Sequence, residues 1–201
     1  MKLTIPNQLT ILRIVLTPVF LFLFIRESVD QQLAGTIVFF VASATDWYDG
    51  YIARKFNVIT RWGQFMDPLA DKILISSAFI VLAYIKILFW WMVWIIVIRD
   101  FLITFLRIFA LKVGKSVVTS TFAKWKTFSQ MTVLIIILLY INIMNYGFFP
   151  VLNRPLPYIH WISISVLVVT LITALSGLKY LIENRSHLYE IYRRIIGKIT
   201  H

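Results

Sequence analysis

An all-α, polytopic membrane protein with six transmembrane helices is the fold class this sequence predicts, on three observations. Hydrophobic residues fill 60% of the 201 positions and the mean hydropathy is +0.82, values typical of integral membrane chains. Several apolar runs reach the roughly 20 residues that a helix needs to cross about 30 Å of hydrocarbon. No polar stretch is long enough for a second domain, so residues 1–201 read as a single membrane domain. Cysteine is absent, which excludes disulfides and thiolate metal ligation and leaves oxygen or imidazole as the only metal ligands.

The elements follow in order. Pro6 and Asn7 suit a helix start, and the first apolar run covers about 9–24. A cleavable signal peptide competes for this run, but no small-x-small cleavage site follows it and the charged IRESVDQQ comes directly after. Span two covers about 33–53, span three about 66–85, and an acidic segment lies where they meet. Span four covers about 89–111, with Trp90, Trp91 and Trp94 placed as an interfacial aromatic belt. Span five covers about 122–144. The turn-forming NYGFFPVLNRPLP then leads to span six at about 158–182. In 183–201, Leu188, Ile191, Tyr192, Ile195, Ile196 and Ile199 recur at near-helical spacing beside Arg193, Arg194 and Lys198, which predicts an amphipathic tail on the membrane surface; a frayed basic tail is the plainer alternative.

Six spans put both termini on one side. Lys2, Arg54, Lys55, Arg61, Lys112, Lys115, Lys124, Lys126, Arg185, Arg193, Arg194 and Lys198 lie on that side, against Arg26, Lys86 and Arg154 on the other. The positive-inside rule therefore places the termini and the acidic segment in the cytoplasm, in a cell (inner or plasma) membrane. The net charge of +11 is spread as a rim on a hydrophobic protein, so membrane lipids with anionic headgroups are its partner rather than nucleic acid.

The acidic segment is 46–71, DWYDGYIARKFNVITRWGQFMDPLAD, and it holds Asp46, Asp49, Asp67 and Asp71 out of 9 acids in the chain. Asp46, Asp49, Gly50, Ala53 and Arg54 fall on one helical face, and Gly63, Asp67 and Asp71 follow at intervals of four on the next helix. Two helices thus aim two carboxylates each at a common region. Four such charges in a low-dielectric setting require protonation or a multivalent cation, and hard oxygen ligands favour Mg2+, Mn2+ or Ca2+. Gly50, Ala53 and Gly63 lack the bulk that would keep a large ligand from the backbone. Arg54 suits either a phosphate oxygen or an ion pair with the acids. An intramembrane ion-pair network is the plain alternative, but the segment holds too few bases to match its acids.

The pattern D46-x2-D49-G50-x2-A53-R54-x8-G63-x3-D67-x3-D71 resembles the signature of the CDP-alcohol phosphotransferase family at all eight fixed positions. That resemblance implies a six-helix membrane enzyme, typically a homodimer, that moves a phosphatidyl or similar group from a CDP-linked donor to an alcohol and releases CMP. It further implies that Asp46, Asp49 and Asp67 are the principal ligands of one or two Mg2+ or Mn2+ ions, that Asp71 joins the metal site and is the general base, and that Gly50, Ala53, Arg54 and Gly63 admit or touch the nucleotide. With CDP-diacylglycerol as donor, the acceptor oxygen attacks the β-phosphorus in a single displacement.

A second constellation is basic. Arg99 and Arg107 lie within span four, where arginine is costly and usually functional, and Lys124 and Lys126 open span five. With Arg54 they suit a pocket for an anionic alcohol such as a sugar phosphate or glycerol phosphate. The alternative pairs Arg99 with Asp100 or the acidic cluster and makes the lysines interfacial anchors. The lead IPNQLTILRI, the pair Arg99 and Arg107, and A123-K-W-K-T127 resemble the bacterial phosphatidylglycerophosphate synthase branch of the family, which implies glycerol 3-phosphate as acceptor. The chain departs from that branch at Asp100, where Glu is commoner, and at Ala123, where Gly is commoner. The same resemblance gives Asn7, Thr10 and Arg13 to the nucleotide, with helix capping and a snorkelling arginine as the alternative. A family enzyme using inositol phosphate, serine or phosphatidylglycerol remains open, as does, more distantly, a cation transporter.

Overall fold

The computed structural model describes residues 5–26, 28–56, 61–112, 121–147 and 155–185. Six helices account for almost all of them: α1 (Ile5–Phe24), α2 (Val29–Phe56), α3 (Arg61–Tyr84), α4 (Trp90–Lys112), α5 (Thr121–Asn145) and α6 (Pro155–Glu183), with no strand among the described residues. The helices stand where the apolar runs predict them, to within a few residues at each end. The expected amphipathic tail falls mostly on 186–201, outside the described residues.

Three helices are long and apolar enough by themselves to cross a membrane: Asn7–Phe24 in α1, Trp125–Asn145 in α5 and Trp161–Glu183 in α6. The other three carry the acidic motif together with Arg99 and Arg107, while Lys124 and Lys126 open α5. The outer surface is nevertheless apolar along its length. Val15, Val19 and Phe22 on α1, Ile98, Leu102 and Phe105 on α4, and Leu171, Leu175 and Leu178 on α6 are exposed at three- and four-residue intervals. Such stripes would be a liability in water and are the ordinary surface of a protein solvated by lipid. Trp90, Trp91 and Trp94 are also exposed, with the rings of Trp90 and Trp94 stacked at 6.3 Å.

Alpha3 is the central helix. Leu74, Ile75, Ser76, Ser77, Ala78 and Phe79 are consecutive and all buried, as are Val81, Leu82 and Ala83, so this stretch is covered on every side rather than on one stripe. Phe20 of α1 packs its ring 5.4 Å from that of Phe39 on α2, and Met92, Val93 and Ile96 of α4, Leu134 and Ile137 of α5, and Val166 of α6 complete the core. In lipid these contacts stabilise through close packing rather than through exclusion of water. The consequence for the site is positional, because Asp67 and Asp71 sit in the first three turns of the helix against which α1, α2, α4 and α5 pack.

Local chemistry sets where helices stop. Lys86 adopts a φ of 63°, and Ile87 N–H reaches back to Leu82 O while Lys86 N–H reaches Ala83 O, which closes α3 in a Schellman motif. Gly147, at φ 64°, ends α5 in a left-handed turn, its N–H donating to Met144 O. Next to that turn, the start of α2 is tied to the end of α5. Asn142 Nδ2 donates to Thr36 Oγ1 at 2.7 Å, Asn145 Nδ2 to Gln32 Oε1 at 2.5 Å, and Tyr146 hydroxyl to Asp30 Oδ1 at 2.7 Å. The bond to Asp30 holds the Tyr146 phenol above its ordinary range.

Candidate active site

Consecutive helices joined by short connections run antiparallel, which gathers the start of α1, the end of α2, the start of α3, the end of α4, the start of α5 and the end of α6 at one end of the bundle. Both constellations lie there. On α1, Asn7, Thr10 and Arg13 recur every three residues and are 8%, 0% and 0% exposed, so the face they form points inward. Thr10 Oγ1 donates to Asp67 Oδ1 at 2.5 Å, and Arg13 NH1 lies 2.6 Å from Asp46 Oδ1. The capping and snorkelling alternatives therefore do not describe Thr10 and Arg13. A threonine in the second turn and a fully buried arginine act as tertiary partners of the acids.

Asp46, Asp67 and Asp71 come near enough for the charges of the last two to act on the first, and the side chain of Asp71 is joined by Lys72, whose Nζ lies 3.3 Å from Asp71 Oδ2. Asp49, Gly50, Ala53 and Arg54 lie on the last turns of α2, with their side chains outside the described residues; Gly63 is buried near the start of α3. Among the described residues no three acids or histidines converge closely enough to form a ready-made cation cluster. The donor set nonetheless fits a hard divalent ion. It offers only carboxylate oxygens, the side chains of Asp46 and Asp71 keep 46% and 24% of their exposure, and each contact to Arg13, Thr10 or Lys72 engages one oxygen of its carboxylate.

Beyond Lys72 the polar groups continue into the basic constellation. Lys126 is 1% exposed, its ammonium bonded to Asp100 Oδ1 and close enough to Lys72 for the two positive charges to repel. Arg99 NH1 reaches the same Asp100 oxygen at 3.2 Å, and its NH2 donates to Ser176 Oγ on α6 at 2.9 Å. So Arg99 does pair with Asp100, whereas Lys126 is a buried group and not an interfacial anchor. Arg107, two turns further along α4, is exposed and faces Tyr180 of α6. Lys124 lies on α5 with its side chain outside the described residues.

The structure thus brings together Asp46, Asp67, Asp71, Thr10 and Arg13 on one side, and Arg99 and Lys126 on the other. Lys72, Asp100 as a shared counterion, and Ser176 are the members that sequence reasoning did not assign. Lys72 carried a signal in following Asp71 directly, and Ser176 in being a polar residue beside glycine inside an apolar span.

The family model for CDP-alcohol phosphatidyltransferase matches residues 3–175, which includes α1 to α5 and all of α6 but its last turns. The chain belongs to the CDP-alcohol phosphatidyltransferase family. It is similar to the CDP-diacylglycerol--glycerol-3-phosphate 3-phosphatidyltransferase of Bacillus subtilis, 35% identical over 192 residues that cover 90% of this chain and 94% of that one. The enzyme of the same name from Shigella flexneri is 33% identical over 196 residues, 94% of this chain and 100% of the relative. That from Rickettsia bellii is 42% identical over 135 residues, 67% and 75% of the two chains. As a CDP-alcohol phosphatidyltransferase the protein is an enzyme, a transferase held in a membrane by apolar helices, and its family is generally metal-dependent.

Proposed function

We propose that this enzyme transfers the phosphatidyl group of CDP-diacylglycerol to glycerol 3-phosphate, giving phosphatidylglycerophosphate and CMP in phospholipid biosynthesis. The observation that carries the reading is likeness along the whole chain to relatives of that name, 94% of this chain against 100% of one of them, joined to a buried cation pair beside the acidic motif. A phosphorylated acceptor calls for such cations more than serine does, whose single carboxylate comes with its own ammonium group.

Asp46, Asp49, Asp67 and Asp71 would hold one or two Mg2+ or Mn2+ ions, which when bound supply positive charge against the pyrophosphate of the donor. Thr10 and Arg13 hold Asp67 and Asp46 in place from α1. Asn7, Thr10, Gly50, Ala53, Arg54 and Gly63 form the nucleotide side, where the small residues leave room for the cytidine diphosphate and Arg54 bonds its oxygens. Arg99, Arg107, Lys124 and Lys126 form the acceptor side. Asp71 takes the proton from the glycerol hydroxyl, the freed oxygen bonds to the β-phosphorus, and the bridging P–O bond breaks with its electron pair leaving on CMP. Lys72 orients the Asp71 carboxylate between the two sides.

The whole chain forms one membrane domain of six crossings, with its termini and this site on the cytoplasmic face, where CDP-lipids and glycerol 3-phosphate meet; two copies pair as a homodimer. Because the chain has 0 cysteines, single introduced cysteines near Lys2 and Lys86 test the orientation by labelling from either side. The function is tested with purified protein, Mg2+ or Mn2+, CDP-diacylglycerol and a panel of acceptors. CMP release is expected only with glycerol 3-phosphate. Release with inositol phosphate, serine or phosphatidylglycerol in its place would refute the acceptor.

A further inference from the structure

Asp100 has no place in the chemistry above, yet it is among the most enclosed charged groups in the protein. Its side chain is 1% exposed, and one of its oxygens accepts from both Lys126 Nζ and Arg99 NH1, so residues of α4 and α5 are joined through a single carboxylate. The third helix joins through Arg99, whose NH2 donates to Ser176 Oγ at 2.9 Å. Gly177 makes that reach possible, since a Cβ built on it would lie 2.9 Å from Arg99 Cγ.

The charges in this cluster do not balance. Among the described residues two cations, with side chains 1% and 14% exposed, share one anion, and Lys72, whose charge also acts on Lys126, is a third cation already engaged with Asp71. A buried pair kept only for folding would be expected to be neutral, because an uncompensated charge in a low-dielectric interior is strongly unfavourable. Arg99 Nε, moreover, is buried with no hydrogen-bond partner. An excess positive charge together with an unanswered donor, at the same end of the bundle as Asp71, is the chemistry of a site that awaits an anion.

We propose that Asp100 is a positioning residue for the acceptor's phosphate. It fixes the directions of Lys126 and Arg99 and offsets half of their charge, so that the two cations stand ready at a fixed spacing instead of repelling each other or pairing with the catalytic carboxylates. The remaining positive charge and Arg99 Nε are left for the phosphate. This inference rests on the proposed phosphorylated acceptor.

The test uses the full-length protein in detergent and three variants: Asp100→Asn, Asp100→Glu and the double variant D100N/K126M. CMP release is followed with each substrate varied at saturating levels of the other. Asp100→Asn is expected to raise the KM for glycerol 3-phosphate at least about tenfold, the equivalent of one misdirected charge-assisted hydrogen bond, and to leave the KM for CDP-diacylglycerol within about twofold. Asp100→Glu keeps the carboxylate and restores most of the acceptor affinity. The double variant removes the uncompensated lysine, so it regains thermal stability without regaining acceptor affinity. Equal changes in both KM values, or wild-type kinetics in the double variant, would make Asp100 a structural partner only and overturn the proposal. Inorganic phosphate separates this from the acceptor assignment: it should raise the melting temperature of the wild-type protein and not that of the double variant, whichever phosphorylated alcohol is the substrate. No phosphate-dependent shift in the wild type would also overturn it.

Discussion

Replacing Thr10 by Val removes a single hydroxyl and keeps the shape of the side chain, which makes it a clean probe of how α1 supports the acids. The hydroxyl is 0% exposed and donates to Asp67 Oδ1 across 57 residues of sequence at 2.5 Å. A hydrogen bond to a charged group contributes about 1.5–3 kcal/mol. Asp67 is only half-buried, so water replaces part of the loss and the low end, about 1.5 kcal/mol, applies. If that bond aims the carboxylate at a divalent ion, Thr10→Val raises the Mg2+ concentration for half-maximal CMP release by roughly tenfold, the size expected when a group that orients a metal ligand is lost. The melting temperature in detergent should fall by only about 3–6 °C, because shape and packing are kept, and Thr10→Ser should recover most of the metal affinity. A Thr10→Val enzyme whose metal dependence stays within about twofold of wild type would refute the idea that this bond positions Asp67.

Further outcomes follow from the same geometry. Asp71→Asn should bind CDP-diacylglycerol normally and lose turnover by about two to four orders of magnitude, as expected for loss of a general base; normal turnover in that variant would remove Asp71 from the role. Lys86 holds a φ of 63° that a side chain adopts only at a cost, so Lys86→Gly should stabilise the protein by up to about 1 kcal/mol without changing either KM. A lower melting temperature for that variant would mean that the Lys86 side chain contributes more than its backbone conformation costs.

Much of the fold was legible because a helix crossing lipid must be apolar over a fixed length, and that length can be read directly from residues such as those of 9–24 or 158–182. The acidic motif was legible for a related reason. Its members lie on two successive helices, and spacing alone puts Asp46 with Asp49, and Asp67 with Asp71, on common faces. What spacing does not give is the rotation and depth of one helix against another. Arg13 could be read equally as a snorkelling group or a ligand contact until α1 was seen to turn it toward Asp46. Lys126 and Asp100 are 26 residues apart on different helices, and nothing in either run announces the other. Asn142 and Thr36 are 106 apart and meet for the same unpredictable reason. For this molecule, then, periodicity groups the residues of the proposed metal side, while the proposed acceptor side depends on tertiary pairings.

The contacts between the start of α2 and the end of α5 bear on how the bundle yields when it works. Asn142 to Thr36, Asn145 to Gln32 and Tyr146 to Asp30 involve no cation, so neither salt nor a bound anion competes strongly for them. The opposite end is held by Arg13, Lys72, Arg99 and Lys126 against Asp46, Asp71 and Asp100, the groups that the proposed metal, nucleotide and phosphate would compete for. The molecule is therefore bound like a book. Under the proposed chemistry the spine, which pairs no opposite charges, would keep its bonds while charged ligands act on the open edge.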